Sequence, residues 1–413
     1  MEKTTPLLDE FYDDVPYLTP EKCVRDEVKK NYADKVVSQG ISTAVLFWTS
    51  RELLTIPNII NECEPLVDDA HWKTFLYKNK VVFVVLRIGA PVAAALIEEL
   101  RIFGIRNFIA LGRAGCIDKD FDETQVVVVN RAIRDEGTSL HYLPPSVYVD
   151  LDKELADKIS EHLKGKGIKT IQGTTWTTDA FYRETSKRIA KRISQGAISV
   201  EMESAALAAV AKFYGLKFGQ FVWFSDKVCD KDWSWIGDAT KREGFVLTAL
   251  EFANTLGEGV AFRKANIKDA DKIQKMQVVT FSPLLKKYKD HDTNPATETL
   301  ERVKARFDYD NVDHYLITLQ NETIGYIRIQ HIDKNTCKLS QIFILPSFQG
   351  RGYGQMAMKQ AELVYPMVKK WILDTIKQEA ILCRLYEKMG YVQTGAERKI
   401  KEKMDIVYYE KHI

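Results

Sequence analysis

Apolar runs of five to eight residues alternate with amphipathic stretches along the first 256 residues of the 413-residue chain. Ile41–Trp48, Val81–Leu86, Asn107–Leu111, Gln125–Val129, Ile168–Thr175 and Lys217–Phe224 read as strands. The spacing predicts helices over Glu21–Tyr32, Val92–Phe103, Leu151–Lys164, Ser204–Tyr214 and Arg242–Leu256. Continuous apolar strands between helices imply a largely parallel sheet covered on both faces. Gly112-Arg113-Ala114-Gly115 is expected to close its strand as a turn. The pattern resets at Gly257-Glu258-Gly259. Beyond it come an edge strand at Val260–Lys264, a short helix at Asp269–Met276 and a polar loop at Lys286–Asn294. A hairpin of His314–Leu319 and Thr323–Gln330 follows, turning at Gln320-Asn321-Glu322. Strands at Lys338–Leu345 and Trp371–Thr375 and helices at Gly354–Tyr365 and Ala380–Met389 complete it. The expected domains are 1–257, with an N-terminal extension over 1–40, and 258–413.

Composition narrows the partners. Lys plus Arg (59) nearly balances Asp plus Glu (57), so no global field recruits nucleic acid or an anionic membrane. The most apolar window, Val81 to Leu100, is broken by Arg87, Gly89 and Pro91, and the start lacks the basic-then-apolar order of a secretory signal. Six cysteines without C-x-x-C spacing argue against a disulfide framework or a metal site, and the chain is expected to be cytoplasmic with no metal.

Chemistry concentrates in two places. In Val200-Glu201-Met202-Glu203-Ser204-Ala205-Ala206 two acids sit in a buried-looking context, where a charge needs a partner. A sugar diol is such a partner; the plain alternative is a helix start with acids on its positive end. Ser225-Asp226 ends an apolar strand some twenty residues later. Arg87 and Arg113 end core strands at the rim, where an Arg pair can hold an anion bidentately. The amides around Gly112 could also face an anion. The second place is Gln349-Gly350-Arg351-Gly352-Tyr353-Gly354, between a strand and a helix, where successive amides can approach a pyrophosphate.

With Thr177-Thr178-Asp179-Ala180-Phe181-Tyr182, the Glu-Met-Glu and Ser-Asp segments resemble the purine and uridine phosphorylase superfamily over residues 40 to 256. The resemblance implies a nucleoside-phosphorylase-like α/β sandwich with a central mixed sheet. It also implies that Phe181 stacks on the base, Val200 and Glu201 line its pocket, and Met202 packs under the ribose. Glu203 would then take the ribose hydroxyls, beside Ser225, and Asp226 would protonate the purine. The anion half departs from the family. Ala110 stands where those enzymes have Arg, and Arg113 where they have Ser. The family's Gly-Asp-Pro loop is not visible in Leu46–Arg51, and its Arg after the Asp falls near Cys229. Phosphorolysis on a site rebuilt from Arg87, Gly112 and Arg113, hydrolysis, and non-catalytic nucleoside sensing all remain open, with phosphorolysis slightly ahead. Phosphate is the co-substrate in the first of these.

Residues 260 to 410 resemble the GCN5-related N-acetyltransferases, an α/β fold, through the glycine loop and Leu382-Cys383-Arg384-Leu385-Tyr386-Glu387-Lys388-Met389-Gly390-Tyr391. That resemblance implies acetyl-CoA held by Gln349, Gly350, Arg351, Gly352, Tyr353 and Gly354, with Ile342, Phe343 and Ile344 beside the pantetheine. Tyr386 would protonate the departing thiolate, as a phenol can. No Glu lies in Lys338–Leu345 to serve as base. The partners implied are a nucleoside, an amine acceptor and further copies of the chain, since family members complete the nucleoside site across a subunit interface. The fusion suggests one pathway, or control of the second half by a nucleoside on the first.

Overall fold

The computed structural model describes residues 16–48, 59, 61–68, 71–229, 232–236, 241–256, 259–319 and 322–413. The expected loop residues Thr49–Arg51, the boundary residues Gly257-Glu258 and the hairpin tip Gln320-Asn321 lie outside the described residues. The chain divides into two compact units, one ending at the boundary near residue 257 and one following it. Tyr32–Gly40, which the sequence leaves in the first domain's extension, packs with the second unit.

The first unit is built on β1 (Thr43–Trp48), β2 (Cys63–Asp68), β3 (Trp72–Tyr77), β4 (Val81–Leu86), β5 (Asn107–Cys116), β6 (Val126–Asp135), β7 (Tyr148–Asp150), β8 (Thr170–Thr178), β9 (Ala197–Glu201), β10 (Lys217–Cys229) and β11 (Asp232–Trp235). Their order is β11-β10-β6-β8-β9-β5-β1-β4-β3-β2, with β7 on β6. An extra β10–β5 pairing closes β5, β9, β8, β6 and β10 into a ring. The sheet is mixed. The strands β4, β1, β5 and β10 run parallel, while β9 runs against β5 and β6 against β10. The largely parallel sheet expected from the apolar runs is thus confined to part of the unit. Those runs are nevertheless the core: every residue of β4 is buried.

Helices start where the local chemistry allows. Pro91 opens Ala90–Ile102, and Asp152 caps Lys153–Gly165 by accepting the Leu155 amide at 2.8 Å. The expected helix Glu21–Tyr32 is instead two pieces, Pro20–Cys23 and Asp26–Tyr32, because Val24 turns extended and buries its side chain. The expected turn Gly112–Gly115 is strand: β5 runs through it to Cys116, pairing Gly112 with Val222 and Arg113 with Trp223. Its second glycine answers to packing. A Cβ on Gly115 would lie 3.0 Å from Val200 Cγ1 and 3.1 Å from Val228 Cγ2.

The second unit has β12 (Ala261–Lys264), β13 (Val312–Leu319), β14 (Glu322–His331), β15 (Thr336–Ile344), β16 (Lys370–Ile376), β17 (Val392–Lys401) and β18 (Met404–His412). Their order is β12-β13-β14-β15-β16-β18-β17. Among the described residues the one parallel contact of this sheet, β15–β16, pairs only Thr336–Lys338 with Lys370–Ile372, after which the strands part. The short helix expected at Asp269–Met276 runs from Ala270 to Tyr288 with Pro283 inside it, so the loop expected from Lys286 begins after Tyr288. In Tyr32–Gly40, Val36 and Val37 are buried and Ser38 O accepts the Phe262 amide at 2.8 Å.

Candidate active sites

In the first unit, strand register gathers residues far apart in sequence. Val200 of β9 lies opposite Gly115 of β5, and Gly115 lies opposite Asp226 of β10. The bulge between Phe224 and Asp226 re-aims the end of β10. Asp226 accepts on both oxygens, from Ser225 Oγ on Oδ1 at 2.6 Å and from Trp233 Nε1 on Oδ2 at 2.9 Å. Trp233 stands on β11, which returns antiparallel along the end of β10.

Glu201 ends β9 beside Thr177 of β8. Its Oε1 accepts from Thr177 Oγ1 at 2.6 Å, and its Oε2 from the amides of Glu203 and Ser204, both at 2.8 Å. The carboxylate thereby caps the buried, alanine-rich helix Ser204–Phe213. Glu203, also buried, accepts the Gly89 amide on Oε1 at 2.7 Å, tying this bend to the segment after β4. Met202 between them is partly buried. Phe181, on a one-turn helix after β8, is 50% exposed and its ring centroid lies 4.0 Å from that of Tyr182. Arg87 follows β4 directly, and Arg113 is an exposed position of β5 whose guanidinium lies 5.5 Å over Trp235. With β4, β1, β5 and β10 parallel, Arg87, Arg113 and Asp226 fall at the same, carboxyl end of the sheet.

The carboxyls of this region are desolvated, which disfavours their charged forms. Burial, then the neighbouring Glu201, raises the Glu203 carboxyl above the ordinary range. Burial raises Glu201 against the pull of Thr177 and the two amides. Glu184, just past the Phe181 turn, is pushed up to about 7 by burial and then by Asp226. Sequence reasoning missed Thr177 as an anchor, along with Gly89, Glu184, Trp233 and Trp235. Of these, Thr177 opens the Thr177–Tyr182 motif and Gly89 lies in Gly89-Ala90-Pro91 before a helix; the other three carried no readable signal.

In the second unit the parting of β15 and β16 opens a cavity of about 1340 Å³. Ile342, Phe343, Ile344, Gln349, Gly350, Gly352, Tyr353, Gly354 and Tyr386 all line it, while Arg351 is an exposed loop residue beside them. Gly350 and Gly352 take φ of 78° and 82°, which lets the loop turn its backbone into the helix Tyr353–Val364. The first amides of that helix are those an α-helix leaves unpaired. Gln349 holds the loop from inside, donating Nε2 to Ile344 O at 2.7 Å. Burial pushes the Tyr386 hydroxyl up to about 12, so it stays protonated. Among the carboxylates on the cavity wall, Glu298 is buried, paired with Arg306 and bonded by Gln277 Nε2, which also reaches Gln341 of β15. No sequence signal pointed to Glu298.

A ring-closed mixed sheet with paired buried acids, followed by a splayed sheet with a glycine loop, defines a phosphorylase-type unit joined to an acetyltransferase-type unit. Residues 59–256 match the Phosphorylase superfamily and residues 282–391 the Acetyltransferase (GNAT) family. The chain belongs to the phosphorylase superfamily through its first unit and carries a GNAT acetyltransferase domain in its second. It is similar to a DeoD-type purine nucleoside phosphorylase of Bacillus cereus, 31% identical over 162 residues, which cover 38% of this chain and 67% of the relative. It is also similar to the uridine phosphorylases of Escherichia coli and Salmonella typhi, 28% identical over 162 residues. That match covers 36% of this chain, and the chain spans 64% of the length of those relatives. Among the described residues no helix is long and apolar enough to cross a membrane.

Proposed function

We propose that the first unit cleaves the N-glycosidic bond of a purine-type nucleoside and that the second transfers an acetyl group from acetyl-CoA to an amine. The observation that carries the first half is the division of labour between the two buried acids. Glu201 is taken up by its own backbone and Thr177, whereas Glu203 accepts one amide from Gly89. A vicinal diol donates two hydrogen bonds and suits Glu203, whose partner would otherwise be costly to lack. Asp226, in the row through Gly115, is the group for the leaving base, and Phe181, Val200, Met202 and Ser225 complete the base and ribose surfaces.

Phosphorolysis is the preferred reaction, with Arg87 and Arg113 as the anion-binding pair. Hydrolysis is favoured by a specific observation: the amides near Gly112 belong to a β ladder instead of an anion-binding turn. Base release from purine nucleosides and uridine, with and without phosphate, tests this. Turnover independent of phosphate selects hydrolysis. No release from any nucleoside leaves a sensing unit, which acetylation rates with and without nucleoside would reveal.

For the second half, the supporting observation is the cavity that brings the helix N-terminus, the parted β15 and Tyr386 together. Acetyl-CoA, bound along Ile342–Ile344 and the glycine loop, would give up its acetyl group to the amine, with Tyr386 donating a proton to the thiolate. Thiol release measured across a panel of amines tests it. The chain is proposed to act as a homo-oligomer in the cytoplasm, without a metal.

A further inference from the structure

Two tryptophans of β11 stand exposed, Trp233 at 63% and Trp235 at 58%. They alternate along the strand, so both lie on one face of it, with ring centroids 6.3 Å apart. What they touch is polar. The Trp233 indole donates to Asp226 Oδ2 at 2.9 Å, and the Arg113 guanidinium lies 5.5 Å over the Trp235 ring. One short strand thus contacts both the acid assigned to the leaving base and an arginine assigned to the anion.

The backbone ties β11 to the same place. Trp235 pairs with Asp226, and the Ile236 amide donates to Ser225 O at 2.8 Å, at the bulge that re-aims β10. On its other edge β10 pairs Asp226 with Gly115 and Trp223 with Arg113. The end of β5, the end of β10 and β11 are therefore one ladder. The two side-chain contacts do different work on it. An indole N–H only donates, so the Trp233 bond fixes Oδ2 whichever protonation state the carboxyl takes. Proton exchange is left to Oδ1, beside a Ser225 hydroxyl that can donate or accept. Attraction between a guanidinium and a ring uses no hydrogen bond, so the Arg113 N–H donors stay available to an oxyanion.

We propose that β11 is a positioning arm that sets the anion seat and the base seat in one frame. Trp235 presents Arg113 to an oxyanion of the phosphate class, and Trp233 aims Asp226 at the leaving base. Neither tryptophan is a catalytic residue, since each acts through the side chain it holds.

This inference rests on the first half of the proposed function, and two readouts separate them. The first is calorimetric affinity for inorganic phosphate, which needs no turnover. Trp235→Leu removes the ring and should weaken phosphate binding by about threefold or more, whereas Trp235→Phe keeps a ring and should restore it. Trp233→Phe should bind phosphate as the wild type does. The second readout is base release. Trp233→Phe loses only the indole donor and should lower kcat by about tenfold with the phosphate KM unchanged. Trp235→Leu should raise the phosphate KM with kcat unchanged. Both side chains are more than half exposed, so these variants leave the core intact. Equal losses of kcat and phosphate affinity in both variants would mean that the tryptophans only fold the hairpin, and overturn the proposal. Phosphate affinity unchanged in Trp235→Leu, or a wild type that binds no phosphate, also overturns it, even where base is released by hydrolysis. A wild type that shows the calorimetric pattern but releases no base overturns the glycosidic reading alone.

Discussion

Glu201 and Glu203 are one residue apart and put the same carboxylate to different uses. Three donors inside the protein hold Glu201, so Glu201→Gln would set an amide N–H₂ against Thr177 or two backbone N–H groups. The expected cost is about 1–3 kcal/mol of stability, measured by urea unfolding. Glu203 behaves differently. Its folded-state pKa lies above its unfolded value, so its stabilising contribution is present below about 4.5 and is lost as pH rises through the raised value. Glu203→Gln should therefore flatten the decline of stability with rising pH, while weakening nucleoside binding by about tenfold or more, read by calorimetry. The sequence shows two acids in an apolar setting and points to a ligand. It does not show that Thr177 and the bend's own amides claim one of them, because that follows from β8–β9 register. Trp233 was less legible still. Its role depends on an antiparallel return after β10 that the local residue pattern does not announce.

Continuous apolar strands were readable because each is buried on both faces, as β4 is. Elements held by partners instead of by pattern were not. β17 is almost wholly exposed and exists through its pairing with β18, and β2 likewise leans on β3. Gly112–Gly115 misled because two glycines suit a turn, whereas here Gly115 makes room between β9 and β10. Glycines of the second unit separate packing from ligand approach. A Cβ on Gly325 would meet Phe343 O at 2.3 Å, so Gly325→Ala must push β14 from β15 beside the cavity. About 1–3 kcal/mol of stability should be lost, together with acetyl-CoA affinity. At Gly354 the nearest atom is Ile344 Cγ1 at 3.9 Å, an ordinary contact inside a helix. Gly354→Ala should gain up to about 1 kcal/mol in thermal unfolding. It should still weaken acetyl-CoA binding if the pyrophosphate approaches that backbone. Calorimetric affinity unchanged in Gly354→Ala would refute the loop's proposed role.

At the scale of the whole chain, the two units are not two consecutive stretches of sequence. Tyr32–Gly40 precedes all of β1–β11 yet packs in the second unit, where the Phe262 amide reaches Ser38 O. Gly40 takes a φ of 68°, and a Cβ there would lie 2.5 Å from Val260 O, so the chain passes close against the start of β12. Hydropathy alone could not reveal this, since Ala33–Val37 is five residues long and its partners lie more than 200 positions away. The second unit's stability therefore depends on residues that a cut near Gly257 would remove. Val36 is fully buried, and Val36→Ala should cost about 2 kcal/mol. The cost should appear as faster hydrogen exchange in Ala261–Lys264 and Tyr353–Val364, with the strands β4, β1 and β5 unchanged. A chain beginning after residue 258 should unfold at a lower temperature than the same unit in the full protein, and adding residues 32–40 back as a fused segment should restore it. Equal protection in Val36→Ala and wild type would show that the segment is a passive appendage. A loss spread evenly over both sheets would show that the chain unfolds as one cooperative body.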